Sequence, residues 1–331
     1  MTADRVWASR GYGLLARDAA GPWRSLGQVP QPAWRRVCAQ SELVTLGLRL
    51  GVHGVVRLAS GALLVCVSGG LLRGGEGGPW QSVMKFEGFR KPARQGLAQD
   101  RKGRIFLAQY ARNHNRTLAM HVWRSEDDGR SFQVLCRFEP GEVRHLHFVQ
   151  EDPVDGSLWL GTGDRSDESS LQRSTDGGET WDVVGQGSQK WRAMSLAFLN
   201  DAIYYGTDAG SDSPEYKNQI VRLDRRTGEA VEVRAVQGPV HGVTATREGG
   251  VLIATAVEGG GNETDDAVHV WHSPDGADWR EVASWPAGSQ PRRVQYGLAQ
   301  FVSGQAEASN LCIVLRGVQG MPLGFLEARL R

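Results

Sequence analysis

Apolar residues in this chain come in short runs broken by glycine-rich polar turns, and no long stretch repeats them at helical spacing. Residues 63–67, 104–108, 156–162, 202–207, 251–255 and 311–315 are rich in β-branched, aromatic and aliphatic side chains and read as strands. A second set follows them at 71–73, 121–124, 171–173, 220–223, 268–272 and 325–330. The clearest unit runs 146–149, 156–162, 171–174 and 181–184, which is four strands joined by turns. The pattern predicts an all-β chain of four-stranded antiparallel units.

One turn sequence recurs. Ser174-Thr175-Asp176-Gly177-Gly178-Glu179-Thr180-Trp181 repeats Ser125-Glu126-Asp127-Asp128-Gly129-Arg130-Ser131-Phe132 at an offset of 49 residues. A form shorter by one residue, Ser273-Pro274-Asp275-Gly276-Ala277-Asp278-Trp279, follows at an offset of 99. These offsets are one and two units of a single period, the mark of a repeat architecture. Asp224-Arg225-Arg226-Thr227-Gly228 is a plainer version, and 74–80 keeps only glycines and an aromatic. A short carboxylate can close such a turn on backbone N–H groups while Gly takes the positive φ. On that physics Asp127, Asp176 and Asp275 are turn staples, not catalytic groups or calcium ligands, and Phe132, Trp181 and Trp279 are wedges between units.

The motif resembles the Asp-box, or BNR repeat, of sialidases and other propeller proteins. The resemblance implies a β-propeller, and four-stranded units at this period read as its blades. Six innermost strands fall near residues 53, 95, 145, 192, 241 and 296. Strands at 6–9, 13–17 and 23–27 have no innermost strand of their own and are expected to complete the last blade. The expectation is a six-bladed propeller, one domain over 1–331, with its ring closed by strands from both termini. Seven blades is the alternative if the N-terminal strands form a partial blade.

Charge is balanced, 38 basic against 37 acidic residues, so no global field points to nucleic acid or a membrane surface. Glycine is high, 43 of 331 against a usual share of about 7%, as many tight turns require. Cys38, Cys66, Cys136 and Cys312 are widely spaced, with no C-x-x-C, and read as free thiols. Residues 1–10 lack an apolar core of the signal-peptide kind, and no run is long enough to span a membrane, so a cytoplasmic location is expected.

Aligning the innermost strands on a small residue places His53, Gln95, His145, Arg192, His241 and Tyr296 at one repeat position. All can hydrogen-bond, and a ring filler need not be titratable or cationic each time. Convergent polar groups in a concave site mark function. Arg94, Arg144, Trp191, Arg192 and Arg293, with His53, Gln95 and His147, are therefore the candidate substrate-binding set. His145, His241 and Tyr296 are the candidate catalytic set. Guanidiniums hold carboxylates by a two-pronged hydrogen bond, and sialidases clamp their substrate's carboxylate with three arginines. The expected function is thus a glycosidase or lyase acting on an acidic sugar or glycan, with no cofactor. The family's Arg-Ile-Pro is absent, Arg104-Ile105-Phe106 being an ordinary strand, and only chain order suggests Tyr296 and Glu258 as its Tyr/Glu pair. Two alternatives stand beside it: a non-catalytic glycan- or protein-binding propeller, and an enzyme with a divalent metal on His53, His145 and His241. Asp164 and Asp208 end second strands in the same Gly-Thr pattern and read either as acids at the mouth of the channel or as turn caps, with turn caps favoured except as substrate contacts, while loops 110–117 and 258–266 read as carriers of specificity.

Overall fold

The second strand of each sheet is the one the sequence makes most apolar, and it is the one the fold buries. In a computed structural model describing residues 5–18, 21–292, 295–302 and 306–330, Leu63–Val67, Ile105–Ala108, Leu158–Gly163, Ala202–Gly206 and Val251–Val257 are buried at every position. The fourth strands, such as Ala230–Ala235 and Arg280–Pro286, are mostly exposed. Burial on both faces removes the need for polar alternation, so these strands read as continuous apolar runs.

The chain divides into two compact units, Met1–Glu151 and Asp152–Arg331. In the first, Arg5–Arg10, Gly13–Asp18 and Arg24–Gln28 pair with one another as a three-stranded sheet, where the sequence pattern anticipated outer strands of the last sheet. Val52–Arg57, Leu63–Val67, Gly70–Gly74 and Trp80–Lys85 form a four-stranded antiparallel sheet, as do Leu97–Gln99, Ile105–Ala108, Met120–Ser125 and Gln133–Phe138. His145–Glu151 is the last strand of this unit.

In the second unit Leu158–Gly163, Ser170–Ser174 and Asp182–Gln186 run antiparallel in sequence order. Ala197–Phe198, Ala202–Gly206, Gln219–Asp224 and Ala230–Ala235 follow in the same order. Val240–Ala245, Val251–Val257, Ala267–Ser273 and Arg280–Pro286 make the next sheet. It continues into Gly297–Phe301, Leu311–Val318 and Met321–Ala328, because Ala256 and Val257 also pair with Leu298 and Gly297.

Three departures from the sequence pattern stand out. Two short helices, Ala33–Cys38 and Glu42–Leu48, were not foreseen, being too brief for a helical period to register. Arg192 lies in no strand; it follows a 3₁₀ turn, Gln189–Trp191, in extended backbone. His53 and His241 share the sequence Val-His-Gly-Val, and each sits where the register slips, between Val52 and Gly54 and between Val240 and Gly242. A bulged residue leaves the ladder and re-aims its side chain.

The recurrent turns are stapled from within. Asp127 Oδ1 accepts from the Arg130 and Ser131 N–H groups at 3.0 and 2.9 Å and from Ser125 Oγ at 2.8 Å. Asp176 accepts from Thr180 N and Oγ1 at 3.0 and 2.6 Å and from Ser174 Oγ at 2.8 Å. Asp275 repeats this with Ala277 N, Asp278 N and Ser273 Oγ. Gly276 has φ +79°, and a Cβ there would strike the Tyr204 hydroxyl, so only Gly serves. These carboxylates are spent on their own turns.

Burial opposes the Asp127 charge, but hydrogen bonds from Ser131, Ser125 and Arg130 outweigh it and lower its pKa to about 2. Hydrogen bonds, from Thr180 foremost, likewise hold Asp176 below the carboxylate range. A depressed folded value means stability that is complete above the ordinary aspartate pKa near 3.8 and is lost as pH falls toward 2. Denaturant midpoints measured from pH 5 to pH 2 should therefore fall below about pH 4. The fall should be shallower in Asp176→Ala, whose midpoint at pH 7 is already lower. A wild-type midpoint in Asp176→Ala would refute the staple role.

Candidate active site

In the second unit, three successive second strands each run into an acid. Leu158–Gly163 is followed by Asp164, Ala202–Gly206 by Thr207 and Asp208, and Val251–Val257 by Glu258. Two of these acids face Arg192, which is 6% exposed. Its Nη2 lies 3.4 Å from Asp164 Oδ1 and its Nε 3.4 Å from Asp208 Oδ2. Nη1 donates to Asp212 Oδ1 at 2.8 Å and to the Asp164 carbonyl at 2.9 Å. A guanidinium is the cation suited to this position, since its rigid fork meets several oxygens at once.

Asp208 bridges to the next group. While Oδ2 faces Arg192, Oδ1 lies 3.1 Å from His241 Nε2, and Glu258 Oε1 lies 3.2 Å from the same nitrogen. The bulge at His241 turns its ring toward both carboxylates. Tyr296, just before the strand Gly297–Phe301, stands edge-on to the imidazole with ring centres 5.6 Å apart. Burial works against the charged imidazole, but the Asp208 and Glu258 carboxylates bonded to it outweigh that and hold His241 well above its ordinary value. Burial pushes the Tyr296 phenol up, with His241 opposing, so it keeps its proton at neutral pH. The two acids differ in access: the Asp208 side chain is 7% exposed and that of Glu258 30%.

Gly210 closes the cluster. A Cβ there would sit 3.2 Å from Glu258 Oε2, 3.6 Å from Asp212 Oδ1 and 3.9 Å from Arg192 Nη2. Beyond Glu258 a polar groove of about 470 Å³ is lined by Gly259, Gly260, Glu263, Thr264, Asp265, Asp266 and Arg292.

Of the residues singled out from sequence, the structure brings Arg192, His241 and Tyr296 together. Trp191 goes elsewhere, its ring covering Gly185 in the strand Asp182–Gln186. Arg293 lies outside the described residues. In the first unit, His145 is buried with its ring 4.0 Å from that of Tyr110 and Nδ1 3.1 Å from the Ala111 carbonyl. His147, two residues on along the same strand face, is buried 5.1 Å from the His145 ring. His53 Nε2 meets the Arg49 carbonyl and Ser68 Oγ, both at 3.1 Å. Arg144 reaches His114, Arg94 is exposed, and the Gln95 carbonyl accepts from Val149 N at 3.0 Å.

Asp164 and Asp208, read from sequence as turn caps or as acids at the mouth, both face Arg192, and Asp212 and Glu258 complete the cluster. The repeated Gly-Thr pattern was the available signal for the first two. Asp212 had none, because it sits in an irregular loop.

No family model and no curated protein matches the chain. Solved structures do. A streptogramin B lyase is 14% identical over 99% of this chain and 91% of its own length, with a TM-score of 0.60. An ancestral GH74 enzyme is 13% identical over 97% of this chain at a TM-score of 0.58, and the match spans 42% of that longer protein. A gluconolactonase from Xanthomonas campestris is 18% identical over 83% of this chain and 85% of its own, at 0.52. The chain has a β-propeller fold. Among the described residues no helix is long and apolar enough to cross a membrane.

Proposed function

We propose that this chain is a propeller enzyme of the glycosidase or lyase kind, working through an acid–base centre of His241, Glu258 and Tyr296. The observation that carries this reading is one imidazole nitrogen held within 3.2 Å of two carboxylates of unequal access. Asp208, closed in by Arg192, orients the imidazolium. Glu258, open to solvent, accepts a proton from substrate or water, while His241 or the neutral Tyr296 phenol supplies one. Likeness to a lyase, a gluconolactonase and a GH74 enzyme supports catalysis on such a scaffold. The Asp-x-Gly turns favour a sialidase-like ancestry for the repeat.

The geometry changes the expected substrate. Arg192 was expected to hold a substrate carboxylate, but Asp164, Asp208 and Asp212 already surround it. With Glu258 these four acids outnumber the two cations Arg192 and His241, and an incoming carboxylate would be repelled. The ligand we propose is therefore a neutral sugar or glycan, whose hydroxyls pair with Glu258, Asp212 and the groove beyond.

Neutral and uronate-containing oligosaccharides, assayed for reducing-end release and for ultraviolet-absorbing unsaturated products, test this directly. Turnover of neutral glycans is expected, with hydrolase and lyase separated by the product. Glycan binding by folded protein without turnover of any substrate would overturn the catalytic assignment.

A further inference from the structure

The loop that delivers Glu258 is fixed by its own side chains. It reads Glu258-Gly259-Gly260-Gly261-Asn262-Glu263, and the N–H groups of Glu258, Gly259 and Gly260 all donate to Glu263 Oε1, at 2.7, 2.8 and 3.0 Å. Successive N–H groups aimed at one point form an anion-binding nest. Here the chain fills it with its own carboxylate, through charge-assisted bonds stronger than neutral ones. Gly259, at φ +88°, supplies the left-handed step that turns the backbone inward.

A second tie joins this loop to the one bearing Asp208 and Asp212. Asn262 is 6% exposed and donates Nδ2 to the carbonyls of Ala209 and Tyr216, at 2.7 and 3.2 Å. Ala209 follows Asp208 and is bracketed by Asn218, which accepts from its N–H and donates to its carbonyl, both at 2.8 Å. Both loops that supply carboxylates to His241 are thus locked through backbone atoms.

We propose that Glu263 is a positioning residue: by closing the nest it holds the Glu258 carboxylate against His241, and it acts on His241 only through Glu258. This rests on the reading of His241 and Glu258 as the reaction centre, but the placement is testable without any substrate. The groups facing His241 are Asp208, Glu258 and Tyr296, with Arg192 behind Asp208. Loss of Glu258 from its place removes one of two carboxylates that favour the imidazolium.

The experiment is a histidine-ring NMR titration of the full chain, with His241→Gln identifying the signal. Glu263→Ala is expected to lower the His241 midpoint by about one pH unit, as the removal of a neighbouring opposite charge does. Glu258→Gln should lower it at least as far, and the double variant Glu258→Gln/Glu263→Ala no further than Glu258→Gln alone. Glu263→Gln keeps an oxygen for the three N–H groups and should titrate close to wild type. If Glu263→Ala does not fold, Glu263→Asp, which withdraws the carboxylate by one methylene, should show the same lowering. An unchanged midpoint in the folded alanine or aspartate variant would overturn the proposal. So would a Glu263→Gln shift as large as that of Glu263→Ala, which would mark a direct effect of charge. A failure here leaves the reaction centre standing, whereas absence of turnover on every glycan leaves the loop's role standing.

Discussion

Glu258→Gln is expected to lower kcat on a neutral glycan substrate by about 10²- to 10⁴-fold, the usual worth of one positioned acid–base group. Its melting temperature at pH 7 should change little by comparison. Gln is isosteric, the side chain is 30% exposed, and the backbone N–H at 258 keeps its bond to Glu263. His241→Gln should lose comparable activity. The pH profile carries a sign as well. His241 is raised in the folded state, so the stability it contributes is present below the ordinary imidazole value and is lost as pH rises through the folded one. Glu258→Gln removes part of the cause, so its loss of stability should be smaller and complete at a lower pH than in wild type. Full activity in Glu258→Gln, measured as kcat on whichever glycan the wild type turns over, would end the assignment of Glu258 as base.

The largest loss of stability is expected from Arg192→Met. Methionine nearly fills the space but takes the guanidinium away from Asp164 and Asp208, whose side chains are 6% and 7% exposed, while Asp208 keeps His241. Removing one partner of a buried ion pair costs about 3–5 kcal/mol, mostly as the penalty of the stranded charge. Arg192→Lys should fall between the two, because a point charge cannot reach Asp164, Asp208 and Asp212 at once. Equilibrium urea unfolding decides it. A wild-type midpoint for Arg192→Met would mean that water, not the guanidinium, compensates these carboxylates.

The two variants separate the roles inside one cluster. Arg192 and Asp208 are nearly closed to solvent and hold the site in shape. Glu258 and Asp212, at 30% and 40% exposure, face outward, where the proposed ligand would meet them. The same division explains why a buried arginine gives little support to an acidic substrate. Its charge is already balanced by residues of its own unit.

The strands and the turns follow from local sequence. Apolar runs such as 63–67 and 251–255 were legible because burial on both faces admits nothing else, and the Asp-x-Gly turns because side-chain-to-backbone bonding is local. The repeat position also placed Arg192, His241 and Tyr296 in one set, though in the structure Arg192 lies in no strand, Tyr296 just before one, and His241 at a bulge. Only the tertiary structure decided what surrounds them. Asp164, Asp208 and Glu258 lie far apart along the chain and meet because three neighbouring sheets end their second strands at one edge. Asp212 arrives on a loop with no pattern of its own. The charge of the site is a sum over these non-local neighbours, and short-range periodicity carries no information on which charges lie within reach of a side chain.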